Sequence, residues 1–370
     1  MDLEELRGRL AEVDEALIGC VARRQHLVDE IGKAKRGAGL ATRDFAQEKE
    51  VLNQARSHAT RLGVPPDVAE ALMRHLIHVS LASQEQARLT ATGHGWGRRA
   101  LVIGGAGGMG RWFADFLASQ GFDVDVADPA DTVTGPGHLA RWEDSPLDQD
   151  LVVVAAPLGV TPAILQGLAA RRPRGLVFDV GSLKTPLRPG LLALVAAGCQ
   201  VTSIHPMFGP ETDLLSGRRV IFVDLGVPAA TAEARRLFEP TMAIPIEMGI
   251  DDHDRMIGYV LGLSHAVNIA FFTALADSGI PARELALISS TTFEAQLGVS
   301  HRVARQNPHL SYDIQHLNEH GLAPLDALCR VVSDLAAHVR TGDAQGFVGL
   351  LERGREYLRD LGSQGDEVEP

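Results

Sequence analysis

The sequence predicts a multidomain chain: an all-α helical bundle, then an α/β domain on a parallel sheet, then a second all-α domain. Three regions of distinct period predict it. Residues 1–86 read as helix throughout. Residues 98–225 alternate short β-branched runs with helical stretches, the pattern of strands joined by crossover helices. From about residue 251 the helical period returns.

Composition narrows the function. A chain of 370 residues suits two or three domains, and 45% apolar residues suffice for a normal core. The net charge of -12 argues against nucleic acid or an anionic membrane as the main partner. Small anionic substrates stay open, because the local field of a site can oppose the global charge. Cys20, Cys199 and Cys329 are far apart, so they suggest neither a metal site nor a disulfide framework. They fit a reducing cytoplasm. The acidic start, Met-Asp-Leu-Glu-Glu, is unlike a signal peptide. No apolar run is read as reaching the roughly 18 residues that span a bilayer. Gly365 to Pro370 reads as a frayed acidic tail.

The first helix is the most informative. Leu3, Leu6, Leu10, Val13, Leu17 and Cys20 step by three and four, and Leu27, Ile31 and Ala34 continue the seam. Its length suggests a helix pair or a dimer. Arg24 interrupts it, where a buried charge needs an opposite charge. A snorkelling arginine or an internal ion pair would explain Arg24 alone. Lys35, about three turns later, points the same way. Asp44 and Glu48 lie one turn apart in the next helix, and Glu48 is in phase with Val51, Leu52, Ala55 and Leu62. After Pro65-Pro66 a third helix carries the stripe Ala69, Leu72, Met73 and Leu76, which Ser80 and Gln84 continue. Three apolar seams thus each carry polar residues, which suggests a polar pocket suited to an anion.

This segment resembles the all-helical chorismate mutases, which are intertwined dimers. Arg7, Arg24, Lys35, Asp44, Glu48, Ser80 and Gln84 carry the resemblance. It implies that Arg7 reaches the partner's site and that the arginines hold the two carboxylates of chorismate. Lys35 and Gln84 would contact the ether oxygen, and Asp44 and Glu48 would lie by the C4 hydroxyl. The chemistry agrees. A Claisen rearrangement needs a compact conformer and positive charge at the breaking ether, not a nucleophile. Gln47 departs from the family, standing where arginine is usual.

Gln86 to Arg99 reads as a glycine- and threonine-bearing linker. Arg98 to Gly104 then reads as a strand entering Gly105-Ala106-Gly107-Gly108-Met109-Gly110, which opens a helix from Arg111 to Gln120. A second strand, Phe122 to Ala127, ends at Asp128. In a Rossmann domain such glycines let the backbone approach a pyrophosphate at the helix N-terminus. The acid after the second strand bonds the ribose hydroxyls and repels a 2′-phosphate, so Asp128 predicts NAD over NADP. Strands are expected at Leu151–Ala156, Leu176–Val180, Val201–Ile204 and Val220–Val223. Loops follow three of them: Pro157-Leu158-Gly159, Asp179 to Lys184, and His205-Pro206-Met207-Phe208-Gly209-Pro210. His205, directly after a buried strand, is placed either as an acid/base at the cofactor cleft or as a loop cap.

These loops resemble prephenate dehydrogenase. With the upstream segment, nearly the whole chain resembles the bifunctional chorismate mutase/prephenate dehydrogenases of tyrosine biosynthesis. The implied division is a mutase domain at 1–88, a linker at 89–98, the NAD-binding domain at 99–248 and a helical dimerisation domain at 249–364. The implied protein is a cytoplasmic homodimer, both isomerase and oxidoreductase. Gly105, Gly107, Met109, Gly110, Asp128 and Pro157 would bind NAD. His205 would be the catalytic histidine, with Ser182 positioning it or the substrate, and Lys184 contacting substrate. His265 and Asn268 lie on a helix expected to line the substrate cleft.

One position departs. Glu294 stands where these dehydrogenases carry an arginine for a substrate carboxylate; a slip of two turns would give the role to His301 or Arg302. Glu294 and Gln47 each remove a cation. That leaves a second reading, in which the substrates are the 4-amino-4-deoxy analogues of chorismate and prephenate. A third is a regulatory or binding protein that has lost an activity. His316 and His320 are read as surface or interface residues, and no metal is expected.

Overall fold

The computed structural model describes residues 2–130 and 137–362; the expected tail at 365–370 lies outside them. The chain divides into two compact units, Met1–Ile250 and Asp251–Pro370.

The first unit opens with α1 (Leu3–Gly37), α2 (Phe45–Leu62) and α3 (Pro66–Thr92). Asp2 caps α1 by accepting from Glu5 N at 2.8 Å. Acids in the first turn and Lys35 and Arg36 in the last complement the helix dipole. Asp44 caps α2, accepting from Gln47 N at 3.0 Å, and Gly63 ends it in the left-handed region at φ 72°. The second half of α1 meets α3 through Arg24, Gln25, Val28 and Gly32. Its first half is bare: Leu3, Leu6, Leu10, Val13 and Leu17 are 47–62% exposed. Among the described residues this first half of the seam has no partner helix.

The expected linker is shorter than the sequence suggests. Helix α3 continues to Thr92, because 66–92 has no helix breaker after its first turn. What remains is packed. Gly95 N donates to Gln120 O at 3.0 Å, and a Cβ on Gly93 or Gly95 would collide with Gln120 or Phe122. These glycines allow close approach rather than a loose tether.

An eight-stranded sheet follows: β1 (Arg99–Ile103), β2 (Asp123–Ala127), β3 (His138–Leu139), β4 (Leu151–Val154), β5 (Leu176–Asp179), β6 (Val201–Pro206), β7 (Arg219–Val223) and β8 (Ile244–Met248). The helices between them are α4 (Gly108–Ser119), α5 (Thr161–Arg171), α6 (Arg188–Ala196) and α7 (Pro228–Arg236). The order is β3-β2-β1-β4-β5-β6-β7-β8, a Rossmann order extended at one edge. All pairs are parallel except β6–β7. The sequence predicts parallel strands throughout. The 207–218 connection holds no crossover helix, so β7 returns antiparallel. Periodicity gives no sign of β3 and β8: β3 has two residues, and β8 contains Pro245 and is partly exposed. Leu101, Val102, Val152, Val153, Phe178 and Phe222 form the buried centre with Phe113 and Leu117 of α4. Burial on both faces explains why β1 and β4 read as unbroken apolar runs.

The second unit is helical: α8 (Ile250–Ile257), a π-helical segment Gly258–Leu263, α9 (Ser264–Asp277), α10 (Ala282–Leu287), α11 (Thr291–Ala304), α12 (Pro308–His316), α13 (Leu322–Thr341) and α14 (Ala344–Gly362). Ile250–Asp277 forms one 28-residue run that is long and apolar enough to cross a bilayer. That corrects the expectation that no such run exists; Gly258 and the polar residues inside it had hidden its continuity. The run also buries His253, Asp254, His265 and Asn268, whose polar groups suit a protein interior. Tyr259, Val260, Leu287, Ile288 and Leu322 leave apolar surface exposed in this unit.

Candidate active sites

The three N-terminal helices bring most of the expected mutase residues together. Arg24 Nη1 donates to Ser80 Oγ at 2.6 Å and to Leu76 O at 3.1 Å. Partial burial holds its guanidinium below the usual range. One turn on, Gln84 Nε2 donates to Val28 O at 2.9 Å. Gly32 makes room for it: a Cβ there would lie 3.1 Å from Gln84 Cγ. Lys35 Nζ donates to Thr42 O at 2.9 Å, tying α1 to the turn before α2. Asp44 is exposed, and its carboxylate serves as the α2 cap.

Arg7 does not join this group. It lies 17 residues before Arg24 on one straight helix, about 25 Å away. Arg43 was missed. It grips Glu48 with two bonds of 2.9 Å, stacks 4.3 Å over Phe45, and donates to Ser216 Oγ at 2.8 Å. A cation therefore faces Glu48 although position 47 is glutamine. The signal was local, an arginine immediately before the α2 cap, but its direction depends on the turn.

The glycine turn has the geometry a dinucleotide needs. Gly104 sits at φ 90° with Ala155 backbone beside it, where a Cβ would lie 2.7 Å from its carbonyl. A Cβ on Gly105 would strike Val126, and one on Gly110 would strike Gly104 O. At Gly107 a Cβ would meet only Gly104 O at 3.3 Å, which leaves that side of the turn open to a phosphate. Asp128 is set against the turn: Oδ2 accepts from Ala106 N at 3.0 Å and Oδ1 from Ala130 N at 2.9 Å. Met109 packs half-buried on the core, and Pro157 lies exposed at the C-terminal end of β4. The donor set fits NAD.

His205 is the fifth residue of β6, still within the strand, and is buried. The loop after it lies against the cofactor turn. A Cβ on Gly108 would come within 2.9 Å of Pro210, and Trp112 Nε1 of α4 donates to Thr212 O at 2.9 Å. The mutase helices hold the same loop. Glu85 of α3 is buried; Oε1 accepts from Leu215 N at 2.7 Å and Oε2 from Met242 N at 2.8 Å. Burial pushes its carboxyl above the usual range despite those bonds. Ser182 is half-buried in the loop after β5. Lys184 is not where a substrate contact is expected. It is fully buried, paired with Asp179 at 2.8 Å, and donates to Ile204 O at 2.7 Å. The loop turns inward after Ser182 and carries the ammonium under the sheet edge.

In the second unit His265 is buried, its imidazole pKa is lowered by burial, and its Nδ1 has no hydrogen-bond partner among the described residues. One turn on, Asn268 Oδ1 accepts from Gln296 Nε2 and Ser300 Oγ of α11, both at 2.9 Å. Glu294 is exposed in the first turn of α11, which Ser290 caps, and there it complements the helix dipole. At about 100° per residue His301 lies about 20° from the direction of Glu294 and Arg302 about 80°, and all three lie off the Gln296–Ser300 face that meets Asn268. Of the two, the helix favours His301 as the substitute. His316 stacks on Tyr312. Asp251, Glu319 and His320 bring three potential ligand atoms within 4.8 Å, but both acids are exposed.

Comparison with known proteins gives this arrangement a family. Residues 6–85 match the family model for chorismate mutase type II. Residues 142–244 match the prephenate dehydrogenase nucleotide-binding domain, and 250–353 its dimerization domain. The glycine turn precedes the matched part of the nucleotide-binding domain and rests on its own geometry. A T-protein from Enterobacter agglomerans is 27% identical over 359 residues, 97% of this chain and 94% of that protein. A 4-amino-4-deoxyprephenate dehydrogenase from Streptomyces pristinaespiralis is 29% identical over 286 residues, 73% of this chain and 94% of that one. The crystal structure of prephenate dehydrogenase from A. aeolicus, in complex with hydroxyphenyl propionate and NAD+, shares the fold. It has a TM-score of 0.56 and 20% identity, covering 71% of this chain and 98% of that one. With a mutase segment followed by both dehydrogenase segments in one polypeptide, the chain belongs to the bifunctional chorismate mutase/prephenate dehydrogenases.

Proposed function

We propose that the chain rearranges chorismate to prephenate and then oxidatively decarboxylates prephenate with NAD to 4-hydroxyphenylpyruvate, in the cytoplasm and as a homodimer. The observation that carries this reading is the coexistence, in one unit, of the Arg24–Ser80–Gln84 cluster and the glycine turn with Asp128 and His205.

In the mutase pocket, Arg24 holds a carboxylate and keeps the substrate folded. Lys35 and Gln84 face the ether oxygen as it gains negative charge. The distance from Arg7 to Arg24 and the bare seam of α1 support a pocket completed by Arg7 of a second copy. In the dehydrogenase, NAD supplies the hydride acceptor. Gly105, Gly107 and Gly110 admit its pyrophosphate and Asp128 meets its ribose. His205 accepts the C4 hydroxyl proton as hydride leaves C4, the ring carboxylate departs as CO2, and the ring becomes aromatic as the proton returns to the C4 oxygen. Ser182 orients the C4 group. Prephenate and NAD thereby yield 4-hydroxyphenylpyruvate, CO2 and NADH.

A second reading takes the 4-amino-4-deoxy substrates. It is favoured by Glu294 and by the Streptomyces relative. Arg43 weakens its mutase half, because it returns a cation to Glu48. NADH formation from prephenate and from its amino analogue tests both. Faster turnover of prephenate supports the main reading; strong preference for the amine, reversed by Glu294→Arg, overturns it. NAD binding without turnover of either would leave a regulatory protein.

A further inference from the structure

We infer that Asp179 and Lys184 form a buried clamp that positions His205 and the Ser182 loop for hydride transfer, an inference that rests on the dehydrogenase reading. Both side chains are fully buried. Asp179 ends β5, and its Oδ1 accepts from Lys184 Nζ at 2.8 Å and from Gly181 N at 2.9 Å. It thus folds the loop that carries Ser182 back on itself. Lys184 Nζ also donates to Ile204 O at 2.7 Å, the carbonyl directly before His205.

The position of that last bond gives the clamp its role. The β5–β6 ladder ends at the pair Asp179–Ser203. Beyond it β5 has turned away, and Lys184 Nζ reaches the next carbonyl of β6 in place of a strand N–H. One ammonium therefore fixes the separation of the loop that carries Ser182 and the strand end that carries His205. These lie at the C-terminal edge of the parallel strands, where doubly wound sheets bind ligands.

Stability alone does not account for the pair. Removing two charges from water is expensive, and a well-packed apolar pair of similar size serves a core as well or better. Leu183 and Leu187 alongside are fully buried, so an apolar solution was available. Asp179 Oδ2 and Ser203 Oγ add two buried polar atoms that find no partner among the described residues. The pair is costly, and it sits at the reaction edge.

The test uses the full chain in three variants: Lys184→Met, Asp179→Leu/Lys184→Met, and His205→Asn. Melting temperature, NAD affinity, and dehydrogenase kcat and KM are measured for each, with the pH profile of kcat/KM. Lys184→Met leaves a bare buried carboxylate and should lower both melting temperature and kcat. The double variant should regain melting temperature and bind NAD normally. Its kcat should stay about a hundredfold low, the loss expected from a misplacement near 1 Å. A merely structural pair predicts the opposite. If kcat of either NAD-binding variant lies within about twofold of the parent, the clamp is wrong. Should the double variant not bind NAD, Lys184→Met alone decides by the same criterion. Full activity in His205→Asn would overturn the dehydrogenase reading instead, whatever the clamp does.

Discussion

Replacing Glu85 by alanine probes the contact between the mutase helices and the loop after His205. The carboxylate is nearly fully buried and its two oxygens take separate backbone donors, Leu215 N and Met242 N. Alanine leaves both donors without a partner. An unsatisfied buried donor costs about 1–3 kcal/mol, so the pair costs about 2–6 kcal/mol. Part of this is offset, since the carboxylate is itself penalised by burial. A net loss of about 2–4 kcal/mol follows. The pH dependence has a definite sign. Burial raises the folded pKa above the ordinary 4.5. The proton is then held more tightly in the folded state, so this stabilisation is full below the unfolded value and lost as pH rises through the folded one. The deficit of Glu85→Ala should therefore be largest in mild acid and shrink toward neutral pH. Trp96, Trp112 and Trp142 all lie in the first unit, so urea unfolding followed by tryptophan fluorescence reads it directly. A variant within about 0.5 kcal/mol of the parent at every pH would refute the reasoning.

Two further outcomes are expected. Gly110→Ala should abolish NAD binding by calorimetry while leaving mutase turnover intact, because its Cβ would collide with the Gly104 carbonyl, a backbone atom that has no room to yield. Arg7→Ala and Arg24→Ala should each inactivate the mutase as pure proteins. Mixed and re-equilibrated, they should recover about a quarter of the parental sites, because half the dimers are mixed and each rebuilds one complete pocket. No recovery after verified subunit exchange would mean that Arg7 does not act across subunits.

Much of this protein is legible in the sequence because the signals are local. The α1 seam repeats every three to four residues, and Arg24 breaks it at a position that geometry then places on Ser80. The glycine turn is legible because its spacing is local, with Gly110 packed on the Gly104 carbonyl, and Asp128 follows at the end of the next strand, although Gly104 and Gly105 answer to Ala155 and Val126 further along the chain. His205 is readable as the residue that follows a buried strand, although β6 extends through it to Pro206.

What only the tertiary structure decided depends on where distant segments come to rest. Lys184 reads as a loop lysine free to meet substrate. Its ammonium is buried because β6 lies beside β5 and leaves a carbonyl unpaired at that depth. Gln47 reads as a lost cation, yet the turn before α2 aims Arg43 at Glu48 and at Ser216, 173 positions away in sequence. The glycines near residue 95 read as a flexible tether, but Gln120 and Phe122 pack directly on them. Periodicity and backbone strain are written along the chain, so the sequence by itself determined the helical seam, the nucleotide turn and the strand that carries His205. The partner of a buried charge is set by the packing of strands and helices, and that was decided only in three dimensions.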